Sequence, residues 1–173
     1  MKDWRRLTSL SVVILIATAL LYTLLHSQSI QTGYLKIGDK GPDFTSTTMD
    51  GTSIKLSDYR GKGVLLNFWA SWCEPCVDEM PRINKAYHLN TSGVEIIAVN
   101  VGDSRATARD FITSQGINFP IWLDPSGEAA DSYRVTGLPS TFLIDKNGRL
   151  VKAVAGEFPD ELSVIQLLKS VQH

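Results

Sequence analysis

Two nearly continuous apolar runs of strand length stand out along the chain, VLLNFWA at 64–70 and VEIIAVNV at 94–101. Runs of this kind suit strands buried on both faces of a sheet. Between them the pattern changes to helical spacing over 73–89, with Pro81 inside, where a kink is expected. A second helix is predicted over 104–115, capped by Asp103 or Ser104 and ended by Gly116. Residues 119–123 read as a third core strand, and 126–134 as a short helix after the Asp124-Pro125 turn. Upstream, 44–48 and 53–56 flank Asp50-Gly51, a hairpin signal. Ser57 is expected to cap a short turn that Gly61-Lys62-Gly63 breaks. Downstream, 141–144 and 150–155 flank Asp145-Lys146-Asn147-Gly148, a second hairpin. Asp160 then caps a helix whose apolar residues Val164, Leu167, Leu168 and Val171 share one face. Strands alternating with helices, closed by a hairpin and a helix, predict an α/β sandwich around a mixed β-sheet with an N-terminal β-hairpin extension.

The first residues follow a different rule. Lys2, Arg5 and Arg6 precede a stretch from Leu7 to Leu25 that carries no charge. Its 19 residues suffice for a transmembrane helix, which needs about 17–25. The positive flank predicts a cytoplasmic N-terminus, with the remainder of the chain on the extracytoplasmic side. The run is longer than a signal-peptide core and no clean small-x-small site follows it, so a retained single-pass anchor in the cell membrane is favoured over cleavage. The expected organisation is a cytoplasmic tip and signal-anchor over 1–26, a polar linker over 27–38 and one globular domain over 39–173. Nothing in this layout requires more than a monomer. A net charge of −1 and a pI near 6.3 give no reason to expect nucleic acid.

The chain has two cysteines, in Trp72-Cys73-Glu74-Pro75-Cys76, just after the first apolar run and at a predicted helix start. A Cys-x-x-Cys pair so placed points to a redox-active disulfide, Cys73–Cys76. The helix N-terminus favours a thiolate on Cys73, and Cys76 is close enough to resolve a mixed disulfide. A structural zinc site would need more ligands, and His26, His88 and His173 show no paired spacing. A purely structural disulfide closing so short a loop would contribute little. The reading is therefore a dithiol/disulfide centre with no metal and no other cofactor. Glu79 lies three residues after Cys76, on the same side of a helix. It could exchange a proton with the inner thiol, or it could be a solvated surface glutamate. Glu74 is placed for redox tuning or substrate contact, or for the surface. Trp72 is expected on the substrate surface, Trp69 as readily in the core. Asn67 reads as a satisfied buried polar group and Asp124 as a turn residue.

Taken together, Gly41-Pro42-Asp43-Phe44, LLNFWASWCEPC, Glu79-Met80-Pro81, VEIIAVNVGDS and GLPSTFLIDKNG resemble the thioredoxin-like fold. More narrowly they resemble the ResA/TlpA group of membrane-tethered thiol-disulfide oxidoreductases, over nearly the whole globular part. The resemblance implies a reductase of the disulfide in the Cys-x-x-Cys-His haem site of apocytochrome c, during cytochrome c maturation. Electrons would come from a polytopic thiol-disulfide carrier of the CcdA type. It further implies that Cys73 is the nucleophile, that Cys76 resolves, that Glu79 is functional and that Glu74 and Pro75 help set the potential. Pro139, otherwise an ordinary turn proline, matches the family's cis-proline, which holds the Leu138 backbone open for a substrate strand. Asp103 stands where the family usually carries a glutamate. The same chemistry on a spore-cortex or cell-wall protein is the nearest alternative. A disulfide-forming oxidase and a thiol peroxidase are further ones, although the peroxidatic Pro-x-x-x-Thr-x-x-Cys pattern is missing.

Overall fold

The computed structural model describes residues 15–18 and 35–171. The chain divides into two compact units, Met1–Tyr34 and Leu35–His173. In the first, residues 15–18 are helical. The remainder of the expected anchor lies outside the described residues, and among the described residues no helix is long and apolar enough to cross a membrane.

The second unit is built on one seven-stranded sheet in the order β2-β1-β5-β4-β3-β6-β7. Its strands are β1 (Thr45–Thr48), β2 (Ser53–Lys55), β3 (Val64–Trp69), β4 (Glu95–Val101), β5 (Ile121–Asp124), β6 (Ser140–Ile144) and β7 (Leu150–Ala155). The three central strands β3, β4 and β5 run parallel, and all other pairings are antiparallel. Helices α1 (Glu74–His88), α2 (Arg105–Ser114), α3 (Glu128–Ser132) and α4 (Glu161–Lys169) cover the sheet. The mixed sheet and its N-terminal hairpin are those the hydrophobic pattern predicts.

Strand β3 shows why the apolar run had to be continuous, since all six of its residues are buried. Alternation sends its side chains to opposite faces. Leu65 and Trp69 pack with Met80 and Ile83 of α1 and with Val164 and Leu168 of α4. Val64, Leu66 and Phe68 pack instead with Trp122, Tyr133 and Phe142. Asn67 falls on the α1 face, in register beside Thr141 of β6.

Local expectations shift in three places. Strand β5 begins at Ile121 rather than 119, because Pro120 has no N–H to give to a ladder. The short turn at Leu56–Tyr59 is a 3-10 helix that Ser57 does not cap. Asp58 instead accepts from the Lys55 N–H at 2.9 Å, while the Ser57 N–H goes to Asp43. Helix α3 is shorter than its predicted span, starting after Gly127 in the left-handed region at φ 79°. Helix α1 runs through Pro81, and Ser104 is the cap of α2. Residues 35–38 join the folded unit, with the Gly38 N–H bonded to the Leu150 carbonyl at 2.8 Å.

Candidate active site

Parallel β3 ends at Trp69, and the chain turns directly into α1, so the Cys-x-x-Cys segment lies at the carboxyl end of the central strand. Cys73 is the N-cap of α1, its sulfur accepting from the Cys76 N–H at 3.3 Å. Glu74 and Pro75 occupy the first two helical positions, where proline is tolerated because its missing N–H would have no helical acceptor. Cys73 and Cys76 form a disulfide with Cα atoms 5.2 Å apart. Cys73 is 7% exposed and Cys76 fully buried, so an attacking partner meets Cys73 first. Trp72 beside it is 69% exposed and Glu74 is exposed, whereas Trp69 is buried against Phe111 with ring centroids 4.9 Å apart.

Glu79 has no exposed surface. One carboxyl oxygen accepts from Asn67 Nδ2 at 2.8 Å, the other from the Phe158 N–H at 3.1 Å. Burial disfavours the carboxylate and pushes Glu79 up to about 7, while these two hydrogen bonds pull the other way. Asn67 also donates to Thr141 Oγ1 at 3.0 Å. Its Oδ1 has no protein hydrogen-bond partner. The site therefore presents an outer sulfur, an inner sulfur and a buried carboxyl that is half-protonated near neutral pH.

Asp103 is 8% exposed and holds the approach to the cysteines. It accepts from Ser71 N–H at 2.8 Å, Ser71 Oγ at 3.0 Å and Asn100 Nδ2 at 2.7 Å. The Leu138–Pro139 peptide bond is cis, and the Pro139 carbonyl accepts from the Gly156 N–H at 2.9 Å. Asp124 accepts from the Ala130 N–H, a turn-closing bond at the start of α3. The structure thus brings Cys73, Cys76 and Glu79 together on α1. Two partners of Glu79 were not read as such from the sequence. Asn67 signalled itself as the lone polar residue of a buried strand. The Phe158 amide gave no signal, because any residue supplies an N–H. Among the described residues no group of three or more His, Cys, Asp and Glu side chains could hold a metal ion.

A dithiol/disulfide pair at a helix start, after the central strand of a mixed sheet covered by helices, defines a thioredoxin-fold thiol-disulfide oxidoreductase. The comparisons with known proteins narrow this. Residues 37–153 match the AhpC/TSA family. The chain is 40% identical to the thiol-disulfide oxidoreductase ResA of Geobacillus thermodenitrificans over 174 residues, covering 99% of each chain. Among solved structures it is similar to a thiol:disulfide interchange protein, DsbE, from Chlorobium tepidum. That match has a TM-score of 0.73 and 35% identity, over 80% of this chain and 99% of the other. It is also similar to StoA from Bacillus subtilis, with a TM-score of 0.65 and 27% identity over 73% and 96%. The chain belongs to the AhpC/TSA family and, within it, to the ResA thiol-disulfide oxidoreductases.

Proposed function

We propose that this protein is a membrane-anchored disulfide reductase that keeps the haem-binding cysteines of apocytochrome c reduced on the extracytoplasmic side. The chemistry rests on one observation, the buried Glu79 carboxyl on the same helical face as the fully buried Cys76, behind Cys73, the more exposed cysteine at 7%. The substrate rests on the resemblance to ResA through the WCEPC motif and the full-length identity. Residues 7–25 serve as the anchor in this reading, with the N-terminus in the cytoplasm.

In the reduced protein the Cys73 thiolate, favoured by the N–H groups at the start of α1, attacks one sulfur of the substrate disulfide. A mixed disulfide forms and the departing substrate thiolate takes a proton from solvent. Glu79 accepts the Cys76 proton. The Cys76 thiolate then attacks Cys73 Sγ, closing the protein disulfide and expelling the second substrate thiolate, which is protonated in turn. Two electrons pass from the dithiol to the substrate. The disulfide seen here is the product state. A thiol-disulfide carrier of the CcdA type, bringing electrons across the membrane, would return it to the dithiol. Trp72, Leu138 and Pro139 frame the substrate surface, and Glu74 and Pro75 tune the couple. Asp103 holds the loop that carries Cys73.

The same dithiol chemistry fits a second reading, exchange on a different extracytoplasmic protein such as a spore-cortex or cell-wall protein. The deciding experiment is a deletion strain. Loss of c-type cytochromes, restored by an external dithiol, is expected. Normal cytochrome levels would refute this substrate. The potential of the couple separates reductase from oxidase. A value near that of thioredoxin, roughly −270 mV, is expected, and one near DsbA, roughly −120 mV, would refute a reducing role.

A further inference from the structure

The segment that follows β7 crosses α1 above the buried carboxyl. Its Gly156 N–H bonds the Pro139 carbonyl at 2.9 Å, and its Phe158 N–H bonds Glu79. The Phe158 ring is buried in the same core cluster as Cys73, Cys76 and Met80. What fastens this segment is Arg82, three residues beyond Glu79 and so on the same face of α1. Its Nη1 donates to the Phe158 carbonyl at 2.6 Å and pairs with Glu157 Oε2 at 2.7 Å. One guanidinium thus grips both residues of the Glu157–Phe158 peptide whose amide faces Glu79.

We propose that Arg82 is a positioning residue, a clamp that holds residues 157–158 over Glu79 and so keeps water from its carboxyl. Arg82 touches neither sulfur and is partly exposed, so its influence on exchange runs through Glu79. The effect on exchange rests on the proton-acceptor role proposed above for Glu79. The effect on the carboxyl itself does not.

The direction follows from the groups around the carboxyl. On α1 this is Arg82. From the segment after β7 comes Glu157, with Asp160 further along coupled to Arg82. From β3 comes the neutral Asn67, itself bonded to Thr141 of β6. Removing the Arg82 charge alone would raise the carboxyl's proton affinity. That Coulomb effect is the smallest of the influences on Glu79, and burial is the largest. Opening the clamp also weakens the Phe158 N–H bond, which raises proton affinity further, but it relieves burial, the largest influence, so the net change is a fall.

The test uses the full-length oxidised protein, in which Cys76 carries no titrating proton, in detergent micelles, with carbon-13 labelled glutamate and Glu79→Gln to assign the resonance. In Arg82→Gln the Glu79 midpoint should drop from about 7 by about one unit or more, a tenfold loss of proton affinity. Deuterium exchange at the Phe158 amide should quicken about tenfold. Arg82→Lys, which keeps one charged donor, should restore much of both. An unchanged or raised midpoint, or unchanged Phe158 exchange, in a folded Arg82→Gln protein would overturn the proposal. If the midpoint and amide exchange move while the pH profile of disulfide exchange stays fixed, the clamp stands and the role of Glu79 in deprotonating Cys76 falls.

Discussion

Replacing Glu79 with glutamine should change how stability depends on pH, and the size of that change can be worked out. In the folded protein the carboxyl titrates at about 7, against 4.5 for an ordinary glutamate. A folded-state pKa above the unfolded one means the native state holds the proton more tightly. That preference stabilises the protein fully below about pH 4.5, fades as pH rises and is gone above about pH 7. At about 1.36 kcal/mol per unit, the gap of about 2.5 units amounts to about 3 kcal/mol. The glutamine side chain of the Glu79→Gln variant cannot titrate. It can still accept from the Phe158 N–H, and its own amide can donate to Asn67 Oδ1, which has no protein hydrogen-bond partner, after a flip of the Asn67 amide. The assay is urea unfolding of the oxidised fragment beginning at Leu35, at several pH values from about 4 to about 8. The oxidised form is chosen because Cys76 then carries no titrating proton. The unfolding free energy of the wild type minus that of Glu79→Gln should fall by about 3 kcal/mol across this range. If the two pH profiles run parallel, Glu79 does not titrate in this window, and the half-protonated carboxyl near neutral pH is wrong.

Three further outcomes follow from the same geometry. Cys76→Ser should accumulate a mixed disulfide through Cys73 with the physiological substrate, visible on non-reducing gels, and Cys73→Ser should trap none. Asn67→Leu removes one of two donors to Glu79 and should move the midpoint of the pH–stability profile above about 7, with a loss of about 1–3 kcal/mol at pH ~8; an unmoved midpoint would show that Asn67 does not hold the carboxylate. Asp103→Ala strands the Ser71 N–H and the buried Asn100 amide and should cost about 1–3 kcal/mol in urea unfolding, with slower reaction of Cys73 toward disulfides; stability and rate both equal to wild type would remove Asp103 from the site.

The fold was largely legible because its core strands are long apolar runs and its turns carry Asp-Gly and Asn-Gly signals. Strand β3 could be placed at the centre because a half-buried strand would have needed polar residues at alternate positions. The cysteine pair was legible from its place at a strand-to-helix junction. Glu79 was only half legible. Its spacing from Cys76 fixed the helical face, yet whether that face meets solvent depends on the segment carrying Phe158, which lies 79 residues away in sequence. No local pattern encodes such a contact. Ser57 and Phe119 misled for a similar reason. A nearby Asp58 made the better acceptor for the turn, and Pro120 moved the start of a strand whose hydrophobic pattern was otherwise right. The expected anchor over 7–25 rests on the sequence pattern alone.

The burial of Glu79 makes sense as a means of matching proton affinities. An ordinary thiol titrates near about 8.5 and an exposed glutamate near about 4.3. Proton transfer from such a thiol to such a carboxylate is uphill by about 4 units, or about 6 kcal/mol. With Glu79 at about 7, the same transfer is uphill by about 1.5 units, or about 2 kcal/mol. The proton affinity of Cys76 enters both cases equally, so the advantage of a buried acceptor is the same whatever its value. Complete burial without donors would overshoot, because an unpaired carboxyl in an apolar interior can rise by several units and would stay protonated at neutral pH. The Asn67 amide and the Phe158 N–H, arriving from β3 and from the segment after β7, hold it between those limits. Asparagine suits that position because its amide can donate to the carboxylate and, turned over, accept from the carboxylic acid. An aspartate there would repel the carboxylate, and a leucine would leave one of its oxygens without a donor. The lone polar side chain in an otherwise apolar strand is thus accounted for by the proton on the helix above it.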